Sequence, residues 1–294
     1  MKLQEQSLYR KRKRTGDYVL YAAIYISAAF SVALLVSIIG YVLAKGIKVV
    51  NWDFLTKAKS AITGSNGIAG NLVNTLYIVV LTLLIATPIG VGSAIYLNEY
   101  AKPGKLVSLI EFTTETLAGI PSIIYGLFGM FFFGGSLKLG YSLLTGALTL
   151  TVMVLPLITR NAQEALKTVP DSYRSGALGM GATKWHMIRT ILLPSAMPGI
   201  VTGIILSMGR IVGESAALLF TAGSSYYLPK AGWGLIQKIR ESGGTLTIQL
   251  YLSMQKAEYD VAFGIGVVLI VVVLAMNGLT KVLSSRLDVH ARKA

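Results

Sequence analysis

The sequence contains no cysteine and only two histidines, His186 and His290. The first absence excludes a disulfide framework, a thiolate metal site and a cysteine nucleophile. Together the two leave little from which to build a zinc site. Charge is scarce as well: 14% of the 294 residues are charged, where a soluble domain carries roughly a quarter. No Gly-rich loop ends in Gly-Lys-Ser/Thr, so the chain offers no cradle for ATP phosphates. Gly264-x-Gly266 lies inside an apolar run and reads as membrane packing. Acidic residues are few, and no acid–base cluster falls within the apolar runs, which disfavours a membrane enzyme.

What the sequence has in abundance is apolar length, 53% of all residues. Runs of about 20 apolar residues match the thickness of a bilayer's hydrocarbon core. Six such runs are predicted, at about 18–44, 71–97, 116–133, 141–158, 198–222 and 261–283. The second contains Pro88 and Gly90; the third and fourth are short and interrupted by glycine. The expected fold class is therefore an all-α integral membrane protein. Its expected layout is a basic segment 1–17, a first membrane helix 18–44, a core 70–283 and a tail 284–294.

Net charge is +14, and its distribution sets the orientation. The basic run Arg10–Arg14 precedes the first span. That span is longer than a signal-peptide core, so it is expected to remain as a membrane helix, with a nucleic-acid arm as the weaker alternative. Placing both termini in the cytoplasm gives the inner segments nearly twice as many Lys and Arg as the outer ones, as the positive-inside rule requires. The connection 161–197 is then cytoplasmic and 223–260 external. The external one carries Tyr226, Tyr227, Trp233, Tyr251 and Tyr259, amphipathic aromatics that favour the membrane interface. It reads as a re-entrant or interfacial segment, with or without an extracytoplasmic partner.

The cytoplasmic connection holds the sharpest local pattern. Thr168 and Asp171 stand at capping-box spacing around Pro170, which predicts a short helix ending near Gly179 to Gly181. Thr183 is placed to cap a second helix, which Pro194 is expected to end or redirect. Trp185, Ile188 and Leu192 give that helix one apolar face. Such a hairpin exposes apolar surface that needs either a protein partner or lipid.

This loop resembles that of the binding-protein-dependent importer permeases. Their loop reads Glu-Ala-Ala, three residues, Gly, nine residues, Ile, any residue, Leu-Pro. The matching positions are Ala177, Gly181, Ile191 and Leu193-Pro194, with Ser175-Gly176 standing where that family has Glu-Ala. The resemblance implies the type I importer (MetI-like) permease fold. It also implies that the loop, with Ala182, Thr183 and Trp185, docks on a separate ATPase subunit.

In the fifth run, Arg210 and Glu214 are four residues apart, one turn along a helix. A charge within a span marks a pathway or a paired site, and the guanidinium fork suits phosphate oxygens. The alternative is a structural ion pair. Arg160 ends the fourth run and reads as a second basic station or as a positive-inside anchor. Pro121 and Gly126 predict a break in the third span near the pathway.

The segments Leu117–Gly129, Val169–Arg174, Gly181–Trp185 and Gly209–Ala216 are similar to those of the PstA-type permease subunits of phosphate importers. The similarity implies inorganic phosphate as the transported species and places Arg160 and Arg210 where that subunit type carries pathway arginines. It further implies a PstC-type sister permease, two copies of a PstB-type ATPase and a PstS-type extracytoplasmic phosphate-binding protein. ATP and Mg2+ would belong to the ATPase and no cofactor to this chain. The rival expectations are a permease for sulfate, molybdate or another oxyanion, and an ATP-independent secondary transporter. The latter predicts an internal repeat, which the sequence does not display.

Overall fold

The computed structural model describes residues 15–60, 65–228 and 235–287. The basic run Arg10–Arg14, Trp233 and His290 lie outside these described residues. The first helix, α1 (Thr15–Gly46), is apolar on every side and packs chiefly on the last, α13 (Tyr259–Leu287). A helix apolar all round suits lipid.

On the outer side of the predicted topology, α2 (Trp52–Thr56) starts at Asn51, whose side chain accepts a hydrogen bond from the Phe54 N–H at 2.8 Å. A small ladder follows, β1 (Lys59–Ser60) with β2 (Ser65–Asn66). No sequence pattern marks it, because two-residue strands carry no periodicity.

The core is built on α3 (Ala69–Ile95), α6 (Leu143–Lys167) and α9 (Leu193–Gly213). Ile78, Ala86, Leu150, Val154, Ile158 and Ile211 are buried between them. Close packing of small and β-branched residues is what holds helices together where lipid removes the hydrophobic drive. The buried threonines cost little, since Thr149 and Thr151 donate back to Thr145 O and Ala147 O at 2.8 Å.

Three expected spans are redrawn by the structure. The third is split into α4 (Lys105–Ala118) and α5 (Ser122–Gly129), the latter continued by a π turn, Met130–Ser136; the two halves are bent by 101°. The break falls at Gly119–Pro121, where proline can start a helix but not continue one. Gly126 does not break it. It lies within α5, where a Cβ would come within 2.8 Å of the Ala217 Cα on α10 (Ala216–Thr221), so its role is close helix approach.

The fourth span runs on to Lys167, well past the expected end. The fifth begins much earlier than expected: α8 (Lys184–Met187) passes through a π turn, Ile188–Leu192, directly into α9. Pro194 therefore neither ends nor redirects the helix. The Leu193 N–H reaches back five residues to the Ile188 carbonyl, and the widened turn accommodates the proline ring and its missing N–H. The fifth span then breaks at Glu214–Ser215, before α10.

The segment 223–260, expected on the outer side, folds back onto the core. It contains α11 (Leu235–Ile239) and α12 (Leu246–Gln255). The buried amides of Asn71 and Asn74 on α3 donate to the Gly244 carbonyl at 2.9 and 3.2 Å, and Asn74 also donates to Ser225 O at 3.1 Å. The Leu246 N–H donates to Thr75 Oγ1 at 2.9 Å.

Candidate functional site: two broken spans and a hairpin

Two sites emerge, one within the spans and one at the end of α6 and α9. Within the spans, the breaks of the third and fifth helices adjoin. Ile123 at the start of α5 and Ser215 and Ala216 at the start of α10 line one cavity of about 210 Å3, with Phe220, Ile248 and Tyr251. Backbone irregularity at membrane depth is tolerated where it is shielded by protein or lines a cavity.

Arg210 stands one turn before the break in α9 and is partly buried. On α5, the Tyr125 hydroxyl donates to the Leu117 carbonyl at 2.7 Å across the Pro121 break. The expected Arg210–Glu214 face does not exist. The helix ends at Gly213, Glu214 is extended at ψ 126, and its carboxylate accepts from the Ala217 N–H at 3.0 Å. Its carbonyl accepts from Thr247 Oγ1 at 2.8 Å. Glu214 thus caps α10, a sensible place for an acid near a helix start. Among the described residues, Arg210 forms no ion pair.

Arg160 lies elsewhere. Its Nη1 donates to Glu115 on α4 at 2.9 Å, and its Nε donates to Glu164 at 3.2 Å. With Glu111, Gln163 and Lys167, these residues line a polar cleft of about 190 Å3. Asn161 packs against Gly203 of the antiparallel α9, so Arg160 and Arg210 differ in depth by about two turns, roughly 10 Å. The structure does not bring them to one site. The Arg160–Glu164 pair follows from helical spacing only once α6 is seen to run on to Lys167; the approach of Glu115 depends on the 101° bend.

The second site is the hairpin between α6 and α8. Here α7 (Asp171–Gly179) follows Pro170. Thr168 does not cap it; the Thr168 hydroxyl donates back to Ala165 O at 2.8 Å and closes α6 instead. Gly181 makes the turn at φ +83, a left-handed conformation natural to glycine. Thr183 caps α8, accepting from the His186 N–H at 3.3 Å.

Ala177, Met187, Ile188 and Leu192 are buried against Ala94, Ala162, Ala165 and Leu166, while Ala182, Ile191 and Leu193 pack at the rim. Pro194 is half-buried. The outer face is open and mixed: Trp185 is 59% exposed and Met180 83%, with Tyr173 and Leu178 exposed too, among the exposed Lys184, His186 and Arg189. Of the expected apolar face, therefore, Ile188 and Leu192 point into the chain and only Trp185 points out. The residue that sequence reasoning missed is Arg174. It bonds Glu99, in the π turn Tyr96–Tyr100 that ends α3, at 2.9 and 3.2 Å. It lies in the Val169–Arg174 segment, but nothing in its spacing points to a partner 75 residues away.

On the external segment, the Lys238 ammonium is buried and donates to the Tyr227 carbonyl at 2.9 Å. Burial lowers its pKa, partly offset by Glu241. Tyr227, Tyr251 and Tyr259 are exposed.

Residues 86–289 match the family model of the binding-protein-dependent transport system inner membrane component. The chain is 40% identical over 198 residues to the probable ABC transporter permease protein YqgI of Bacillus subtilis (strain 168), covering 67% of each chain. It is 32% identical over 227 residues to the phosphate transport system permease protein PstA of Xylella fastidiosa (strain Temecula1 / ATCC 700964), covering 77% of this chain and 79% of that one. In fold it is similar to a chain of a bacterial alginate ABC transporter solved in complex with a periplasmic protein. That likeness has a TM-score of 0.68 at 17% identity and covers 93% of this chain and 96% of the other. The chain belongs to the binding-protein-dependent transport system inner membrane component family, as a multi-pass, non-catalytic permease subunit of an ABC importer.

Proposed function

We propose that this permease subunit forms half of a translocation pathway for inorganic phosphate and that the 171–193 hairpin couples it to a separate ATPase. The observation that carries the substrate assignment is Arg210. It is a cation within a span, beside the paired breaks, and Glu214 is committed to α10 rather than to it. A charge within a span that has no fixed partner is costly, and a tetrahedral oxyanion would supply the missing counter-charge to a fork built for oxygen pairs. Relatives that are themselves named phosphate permeases support phosphate within that class. Arg160 is a different station: two carboxylates already hold it, so an anion arriving there competes with Glu115 and Glu164, which favours release into the cytoplasm.

The hairpin's sealed inner face and open outer face support docking of Met180, Trp185 and their neighbours in a groove on an ATPase. The full assembly on this reading has a PstC-type sister permease, two PstB-type ATPase copies and a PstS-type binding protein on the external side. ATP and Mg2+ are bound by the ATPase, and this chain holds no cofactor. ATPase closure displaces the hairpin and rocks the spans between outward- and inward-open states.

Arg210→Gln tests the assignment. Phosphate uptake falls by about tenfold or more, as expected when a charge-assisted contact is lost, while the complex still assembles. Uptake near the wild-type rate removes Arg210 from the pathway. Sulfate or molybdate that competes with phosphate as well as arsenate does would favour a permease for another oxyanion.

A further inference from the structure

Besides the backbone itself, which continues through α8 into α9, side chains fix the hairpin to the rest of the chain in two ways. One is apolar: Ala177, Met187, Ile188 and Leu192 rest on α6 and on the end of α3. Apolar contact is non-directional, so it holds surfaces together without fixing how one displaces the other. The other attachment is polar and directional, and it is concentrated in one turn of α3.

Arg174 uses all five of its N–H groups. Nε and Nη2 donate to Glu99 Oε1 at 3.2 and 2.9 Å. Nη2 donates also to the Leu166 carbonyl at 3.0 Å, and Nη1 to the Val169 carbonyl at 2.9 Å and Asp171 Oδ1 at 3.0 Å. One side chain thereby joins α7, the end of α6 and the end of α3. The pair is largely shielded from water, with Glu99 5% and Arg174 19% exposed. A shielded pair of this kind is costly to break from one side, because it strands the remaining charge.

Glu99 belongs to a π turn, closed by the Ala101 N–H on the Tyr96 carbonyl at 2.8 Å. The additional residue in a π turn re-aims the side chains that follow it, and such turns recur at functional sites. The next residue, Tyr100, receives the second arm of the hairpin: Lys184 Nζ sits 5.0 Å from its ring centroid. Both arms of the hairpin thus grip consecutive residues of one turn.

We propose that the Glu99–Arg174 pair is the positioning joint that makes the hairpin and α3 move as one body, so that displacement of the hairpin by the ATPase is imposed on α3. The proposal rests on the reading of the hairpin as the ATPase-docking element. α3 is the span packed most extensively on α6, so motion delivered there reaches the centre of the core.

The test uses the assembled complex in proteoliposomes, with Glu99→Gln, Glu99→Asp and Arg174→Lys. In Glu99→Gln the ATPase subunit co-purifies as in wild type and hydrolysis persists, while phosphate moved per ATP falls by about tenfold, the scale of an interrupted coupling path. Glu99→Asp, which keeps the charge, recovers part of the loss. Arg174→Lys loses the fork and behaves like Glu99→Gln.

A second readout does not depend on the cargo. The chain has no native cysteine, so nitroxides attached through Ser172→Cys on α7 and Leu84→Cys on α3 report one distance. ATP leaves that distance unchanged with Glu99 present and shifts it in Glu99→Gln. Three results overturn the joint: wild-type phosphate-to-ATP ratio in Glu99→Gln, loss of the ATPase subunit from that variant, or a distance that ATP alters equally in both backgrounds or in neither. A wild-type complex that moves no phosphate refutes the substrate assignment instead and leaves the distance experiment decisive.

Discussion

Gly126 and Glu258 show how single positions hold this permease together. At Gly126 a methyl group would meet the Ala217 Cα at 2.8 Å. Gly126→Ala should force α5 from α10 and destabilise by about 1–3 kcal/mol, the usual cost of overpacking. Gly92, with no neighbour within 4 Å of an added Cβ, is the control. A thermal midpoint lowered by Gly126→Ala but not by Gly92→Ala confirms the contact. At Glu258, the hydrogen bond from Lys59 at 2.7 Å holds the carboxyl below its ordinary value of 4.5, against a smaller opposing effect of burial. A carboxylate with a lowered folded pKa stabilises above its unfolded value and loses that contribution as pH falls through the folded one. The stability lost in Glu258→Gln, about 0.5–1 kcal/mol for a partly exposed pair, should be constant from neutral pH to about 4.5 and shrink below it. Neither Lys59–Glu258 nor Arg174–Glu99 was legible beforehand, because each joins positions far apart in sequence. Arg160–Glu164 went unread as well, because the fourth run was expected to end near 158 and the pairing needs a helix that runs on to Lys167.

At the scale of elements, apolar length located the spans, but proline and glycine were weaker guides to their ends. The rule that proline stops a helix succeeded at Pro121, where the chain bends by 101°, and failed at Pro194, where a π turn accommodates the ring. Local sequence cannot distinguish these cases, since the choice depends on what Ile188 and Leu192 find to pack against. The same limit applies to Arg210 and Glu214. Their spacing implied a shared face only if the helix continued, and it ends between them. The turn at Gly181 was readable, and its φ of +83 makes a definite demand. Gly181→Asp places a side chain in a left-handed conformation, at a cost of about 1 kcal/mol or more. On the docking reading, that strain loosens the hairpin, and ATPase association measured by co-purification declines. Association unchanged from wild type would count against assigning this loop to docking.

At the scale of the molecule, the described chain is a packed core of α3, α6 and α9, the last of them broken before α10, with the bent pair α4–α5 and the helices α1 and α13 beside it and a hairpin at one end. The core fixes depth and the adjoining breaks enclose a cavity; on the function proposed above, an anion passes Arg210 near those breaks and the hairpin carries force from outside the chain. No part of the sequence offers a phosphate-binding loop of its own for ATP. The energy for transport therefore enters through contact, on the function proposed above. The most direct test is labelled-phosphate uptake into proteoliposomes that contain this chain with its sister permease and ATPase, with binding protein outside and ATP inside. Accumulation that requires ATP and disappears in Arg210→Gln is the predicted result; phosphate entry that proceeds equally without ATP would contradict the account.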